Sequence, residues 1–190
     1  NALDTPTPSA ELQYLQHGTL NMDENLPAEL NPHTVVFDIA LQRLPLSDLL
    51  TQAMSDGMLN PEFALQSLLA QATQLDIREW RWEFPLSTLL MQANAQAHAA
   101  ATADEAPHLR AEARIDLHDL ERMGQWAASF EADPMLAEQL RAMIAMLSII
   151  GEKKTAADGK AYHHYHIEAD SLGQIKLNGN DMSALMSMMP

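Results

Sequence analysis

The run Leu109-Arg110-Ala111-Glu112-Ala113-Arg114-Ile115-Asp116-Leu117 alternates apolar and charged residues at every step. Successive side chains of a strand leave opposite faces, so as a strand this segment has one apolar face and one fully charged face. As a helix it would scatter both kinds around the axis and bury nothing cleanly. All-parallel sheets are covered on both faces, whereas antiparallel sheets tolerate a wet one. The run therefore demands an antiparallel sheet with one side in water and the other under a cover.

Candidate neighbours follow. In Thr34 to Gln42, Val35, Phe37, Ile39 and Leu41 share a face. In Leu75 to Phe84 the apolar parity switches, with Leu75 and Ile77 on one phase and Trp80, Trp82 and Phe84 on the other. A bulge near Arg78-Glu79 reconciles the two. Residues 88–101 are rich in alanine, which favours helix, yet Leu89, Met91, Ala93, Ala95 and Ala97 alternate with larger or polar residues, and we read strand. Strands at 108–117, 161–169 and 174–178 complete the set. Helices are expected at 46–55, 61–72, 118–129 and 134–150. Ser47 is the expected cap of the first. Asn60-Pro61 and Asp133-Pro134 pair an N-cap residue with a proline in the first turn. Gly151 ends the last helix, whose stripe is read as Leu136, Leu140, Met143, Leu147 and Ile150. The fold class is α+β, a curved, mainly antiparallel sheet of about five to six strands packed by amphipathic helices.

Asn1-Ala2 resembles the remnant of a cleaved tag, and residues 1–10, with Pro6 and Pro8, read as scar and linker. On that reading the natural N-terminus lies upstream. Leu12 to Leu20 reads as a short hairpin turning at His17-Gly18, and Lys153 to Gly159 as a polar loop. Residues 11–182 form a single domain, followed by a methionine-rich tail at 183–190. One internal echo stands out: Pro45 to Ala53 and Pro85 to Ala93 match at seven of nine positions. Their apolar spacing differs, helical in the first and alternating in the second, so we read coincidence rather than duplication.

Composition narrows function. There are 26 acidic and 11 basic residues, a net charge of −15. Such a field repels phosphate backbones, so nucleic acid is not an expected partner. No cysteine is present, which removes thiol catalysis, thiolate metal sites and disulfides. No apolar run approaches the roughly 18 residues that mark a membrane-spanning helix, so this segment is not expected to insert. Phosphate-binding loops, dinucleotide fingerprints, nucleophile elbows and zinc-protease helices are all missing from the sequence, and no catalytic residue or cofactor is assigned.

Two clusters carry chemistry. In His163-His164-Tyr165-His166, a strand places His164, His166 and Glu168 on one face, a two-imidazole, one-carboxylate set of metal-binding type. The bland account is an outward face of polar side chains lacking the surroundings that orient metal ligands, and we expect no useful metal affinity there. His98 and His118 are the candidates for a further ligand from other elements. The second cluster is Trp80 and Trp82, which pack a core or line a ligand groove. With Leu140, Met143 and Leu147 of the long helix they define the candidate groove between sheet and helices.

The segment Phe37-Asp38-Ile39-Ala40-Leu41-Gln42-Arg43-Leu44-Pro45-Leu46-Ser47-Asp48-Leu49-Leu50, followed near the end by Gly159-Lys160-Ala161-Tyr162 and by Leu172-Gly173-Gln174-Ile175-Lys176-Leu177-Asn178-Gly179, resembles the C-terminal half of the YdgA-like family of bacterial proteins of unassigned function. Pro85-Leu86-Ser87 departs from that pattern, where a glycine is expected. The resemblance implies a periplasmic body held by an N-terminal membrane anchor upstream of this segment. It brings no catalytic residues. Three readings stand: a non-enzymatic envelope domain binding a protein partner or a lipid-like ligand in a groove, a metal-assisted hydrolase on His164, His166 and Glu168, and a purely structural periplasmic segment. The oligomeric state is left open.

Overall fold

The computed structural model describes residues 9–17, 27–58, 60–98, 108–170 and 174–182. Nine strands form one open, curved sheet in which every pairing is antiparallel. In chain order they are β1 (Ser9–His17), β2 (Thr34–Gln42), β3 (Gln74–Glu83), β4 (Thr88–His98), β5 (His108–His118), β6 (Glu152–Thr155), β7 (Ala161–Ala169), β8 (Ile175–Leu177) and β9 (Asn180–Asp181). The order across the sheet is β1-β2-β3-β4-β5-β7-β8-β9, with β6 on β7 as well. The helices are α1 (Leu46–Asp56), α2 (Pro61–Ala70), α3 (Leu120–Ser129) and α4 (Pro134–Ile150). No described helix is long and apolar enough to cross a membrane.

The α+β class is as expected, with more strands than the five to six read from the sequence. Residues 9 and 10, taken as linker, belong to β1, whose nine residues pair with β2; Gly18 to Leu20, the far side of the expected hairpin, lie outside the described residues. The partner strand of β1, distant in sequence, satisfies one side of its backbone. The stretch read as a polar loop from Lys153 instead begins as β6, a strand without apolar residues held by its ladder to the first half of β7. The tail at 183–190, the turn at 102–107 and residues 99–101 of the expected strand at 88–101 lie outside the described residues.

The bulge lies where parity required it. Asp38 pairs with Glu79 and Ile39 with Ile77, leaving Arg78 as the extra residue of β3. Against β4 the register likewise jumps between Ile77 and Trp80. Gln92 donates its side-chain N–H to the Arg78 carbonyl at 3.0 Å, satisfying the acceptor the bulge displaces. Leu75 and Ile77 therefore join the face of Trp80 and Trp82. The alanines of β4 sit opposite those of β5, Ala93 on Ala113 and Ala95 on Ala111. Alternation outweighs helix propensity here, because a small residue facing another small one still completes the ladder.

α1 and α2 bridge the ends of β2 and β3 at which Gln42 pairs with Gln74. α1 starts at Leu46, so Ser47 lies inside the first turn and makes no cap. Asn60 caps α2 through Glu62 and Phe63 N–H, and Asp133 caps α4 through Met135 and Leu136 N–H. α3 and α4 leave from the opposite sheet end, after His118. They bury Leu120, Ala127, Leu140 and Ile144 against Leu117 and Tyr165 of the sheet, with Leu89, Ile115, Leu136 and Leu147 packed around them. Ala127 and Ala137 are both fully buried, so alanine on each helix lets the pair approach closely. The inward stripe of α4 is Ala137, Leu140 and Ile144, flanked by Leu136 and Leu147. Met143 is 44% exposed, which corrects its place in the expected stripe. Its neighbour Ile144 holds the inward position, one residue after Met143 and four after Leu140, where the 3.6-residue turn brings a side chain back to the same face.

Candidate functional site

The registers assemble two different sheet faces. On the covered face, Phe37, Trp80, Met91, Ile115 and Tyr165 lie in one cross-strand row, and Val35, Trp82, Leu89, Leu117 and His163 in the next. Only part of this face belongs to the core beneath α3 and α4: Phe37, Trp80, Trp82 and Met91 stand outside it. Leu89 and Ile115 are shared. They touch that core, and with Trp80, Trp82 and Met91 they line a cavity of about 190 Å³ whose exposed lining atoms are all apolar. The cavity begins where the helical cover ends.

A row of rings runs through and beyond the cavity wall. Phe37 and Trp80 meet edge to face at 5.1 Å, Trp80 and Trp82 at 5.9 Å, and Trp82 and Phe84 at 6.0 Å. Such edge-to-face pairs stabilise beyond the area they bury. The row follows from alternation along β3 plus the neighbouring β2 position. The indole N–H of Trp82 is buried and has no hydrogen-bond acceptor among the described residues. A buried donor left unpaired costs about 1–3 kcal/mol, so most buried tryptophans find an acceptor.

The groove residues expected from the sequence divide accordingly. Trp80 and Trp82 come together in the cavity wall. Leu140 is buried in the α3–α4 core, Leu147 packs partly against it, and Met143 faces outward. The three α4 residues are thus not brought to the two indoles. Leu89, Met91 and Ile115, which sequence reading did not name as ligand-facing, complete the wall. Their alternation was visible, but placing them beside Trp80 and Trp82 needs the β3–β4–β5 registers.

On the opposite face the histidines have separate partners. His164 Nδ1 lies 2.6 Å from Asp116 Oδ1, and His166 Nε2 lies 3.0 Å from Glu112 Oε1. Glu112 is also held by Arg114 at 2.7 Å. Its carboxyl is lowered below the usual range, chiefly by the Arg114 hydrogen bond and further by His166, against a partial desolvation. Glu168 pairs with Glu112 and Lys176 across the ladders and is exposed. His118 stacks on Tyr162 at 5.0 Å, and His98 lies at the far end of β4. His164, His166 and Glu168 share a face as alternation requires, but each imidazole is engaged by its own cross-strand carboxylate. Among the described residues no three His, Asp or Glu side chains converge in a metal-holding group. The arrangement builds cross-strand imidazole–carboxylate contacts on a half-wet sheet.

No protein-family model, curated protein or solved structure matches the chain.

Proposed function

We propose that this is a non-enzymatic cell-envelope domain that holds an apolar ligand, an acyl chain, on the open part of its sheet. One observation carries the reading: the all-apolar cavity of Trp80, Trp82, Leu89, Met91 and Ile115. Ligand sites combine a mostly apolar wall with a few polar groups that fix orientation. At about 190 Å³ the cavity is smaller than the roughly 300–1,000 Å³ of whole-ligand pockets. It suits a section of a chain lying along the sheet. The envelope setting rests on the resemblance to the YdgA-like family; the absence of cysteine is compatible with it but does not argue for it.

Mass spectrometry of the native protein and of its organic extract tests this. A stoichiometric acyl-chain species should co-purify and should fall sharply in a Trp82→Ala variant. An extract free of such species, together with no uptake of added fatty acid, would remove the reading.

A protein partner is the second reading, favoured by a different surface. Met54 is 86% exposed and Met58 79%, and Leu50 and Leu65 of the same helix pair are also in solvent. Methionine-rich apolar surface adapts to varied partners. Analytical ultracentrifugation of wild type against Leu50→Glu/Met54→Glu reports whether that surface associates.

A further inference from the structure

The two edges of the sheet are built differently. Beyond β7 lie β6, of four residues, and β8 and β9, of three and two. β6 brings Glu152, Lys153 and Lys154 to that edge. Short and charged strands keep an edge from pairing with another chain. The opposite edge is β1. Its nine residues pair with β2 from Ser9 on Gln42 to His17 on Thr34 without a register shift, whereas both pairings of β3 shift at the bulge. The strand reads Ser-Ala-Glu-Leu-Gln-Tyr-Leu-Gln-His, with no proline, glycine, lysine or arginine. Among the described residues no strand lies on its outer side. Alternate residues of an antiparallel strand bond one neighbour, and the others turn their N–H and C=O groups the opposite way. β1 therefore presents a long, regular ladder without the devices that guard the far edge.

The order of residues in β1 says what that ladder fits. Set antiparallel to a second β1 about a two-fold axis at Tyr14, Glu11 falls opposite His17, Leu12 opposite Gln16 and Gln13 opposite Leu15. The one acidic residue of the strand thus faces its one histidine, symmetry makes the match twice, and no like charges meet. Polar and opposite-charge cross-strand pairs stabilise a ladder, and like charges directly opposite weaken it. Within the chain the β2 positions opposite Glu11 and His17 are Ala40 and Thr34, neither of them charged. Tyr14 stands at the register position beside Phe37, so the row of Phe37, Trp80 and Met91 would continue through the axis into its copy. The net charge of −15 opposes contact between copies elsewhere, and β1 brings a single carboxylate to this one.

We infer that β1 is a self-association edge: it pairs antiparallel with β1 of a second copy, in the register centred on Tyr14, and joins two sheets into one. A contact of this symmetry closes after two copies, and main-chain hydrogen bonds supply its affinity. One strand pair is a small interface, so the dimer is weak and reversible. The contact shares no residue with the cavity of Trp80 and Trp82 or with the exposed surface of α1 and α2, and it stands or falls apart from both.

Sedimentation of the full chain over a concentration series reaching about 1 mM should show a monomer–dimer equilibrium that Leu50→Glu/Met54→Glu leaves unchanged. His17→Glu sets carboxylates opposite each other on both sides of the axis. It should weaken the dimer by roughly threefold to thirtyfold, each pair counting twice. Glu11→Lys/His17→Glu restores opposite charges and should recover the association. A cross-link reads the register itself. The chain has no cysteine, and directly opposed residues of an antiparallel pair lie roughly 4.5–5.5 Å apart at Cα, within the span a disulfide bridges. Under mild oxidation Tyr14→Cys should give a covalent dimer, whereas Leu12→Cys, which faces Gln16 of the copy, should not. A monomer at every concentration, a dimer indifferent to His17→Glu or lost in Leu50→Glu/Met54→Glu, or a Tyr14→Cys protein that cross-links no better than Leu12→Cys would overturn the inference.

Discussion

Gly151 is the position where a single methyl group should tell most about the core. The sequence marks it as a helix terminator, for which glycine usually supplies a left-handed φ. Here its φ is −81° and its ψ 141°, values any residue adopts, so conformational freedom does not explain the glycine. Space does. A Cβ at this site would lie 2.8 Å from Cε1 and Cζ of Tyr165 and 2.9 Å from its hydroxyl oxygen. The ring cannot retreat freely: Tyr165 is 5% exposed and donates its hydroxyl to the Leu147 carbonyl at 2.9 Å. Overpacking of this kind costs about 1–3 kcal/mol, and displacing the Tyr165 hydrogen bond adds about 0.5–1.5 kcal/mol. Loss of glycine's freedom in the unfolded chain returns about 0.4–1 kcal/mol. Gly151→Ala should therefore destabilise by roughly 0.5–4 kcal/mol in urea unfolding. In a Tyr165→Leu background the contacting atoms are gone, and the same alanine should be neutral or stabilising by about 0.4–1 kcal/mol. A similar cost in both backgrounds, or none in the wild type, would refute the steric account.

Leu140→Ala should cost about 2–5 kcal/mol, the range for a buried leucine, whereas Met143→Ala on the exposed side should stay within about 0.5 kcal/mol; chemical denaturation separates the two. Burial holds the Tyr165 hydroxyl above its ordinary pKa of 10.0. The unfolded chain thus loses that proton first, so stability present below pH 10 falls as pH rises towards the folded value, and Tyr165→Phe should flatten this alkaline limb in melts at graded pH. Glu112, lowered by Arg114 and His166, acts in the acid direction: its contribution is present above the ordinary carboxylate range and is lost as pH falls through the lowered value. Being close to solvent it contributes at most about 1 kcal/mol, read as a small loss of acid sensitivity in Glu112→Gln.

Much of the scaffold was legible because single residues punctuate it. Strands Thr34–Gln42 and Ala161–Ala169 and helix Pro134–Ile150 have the bounds read from alternation and from the Asp133-Pro134 start. The bulge at Arg78 was forced by a parity switch in one strand. The two copies of the nine-residue echo fold differently, Leu46–Asp56 as helix and Thr88–His98 as strand. Their spacing beyond the shared residues decides, since long-range pairing with β3 and β5 rewards alternation in the second copy alone. Strands β1 and β6 were missed for a related reason: β6 is Glu-Lys-Lys-Thr, and nothing local to it announces a strand. Ile144 lost its place to Met143 because both are apolar and adjacent, and only contact with α3 selects between them. The candidate site was half legible. The indole pair was visible in the sequence; the neighbours that turn it into a cavity come from two other strands. His163 is buried, since the same alternation that sets His164 and His166 outward turns it inward.

Contact between an acyl chain and the two indoles is the direct measure of the proposed function. With Trp126→Phe, emission reports Trp80 and Trp82 alone, because the chain has three tryptophans. Fatty acid brominated along its chain should quench that emission saturably at about one equivalent, and Met91→Glu, which puts a charge in the cavity wall, should abolish the effect at unchanged fold. Emission that is indifferent to the brominated chain, or quenched equally in the Met91→Glu protein, would contradict the account.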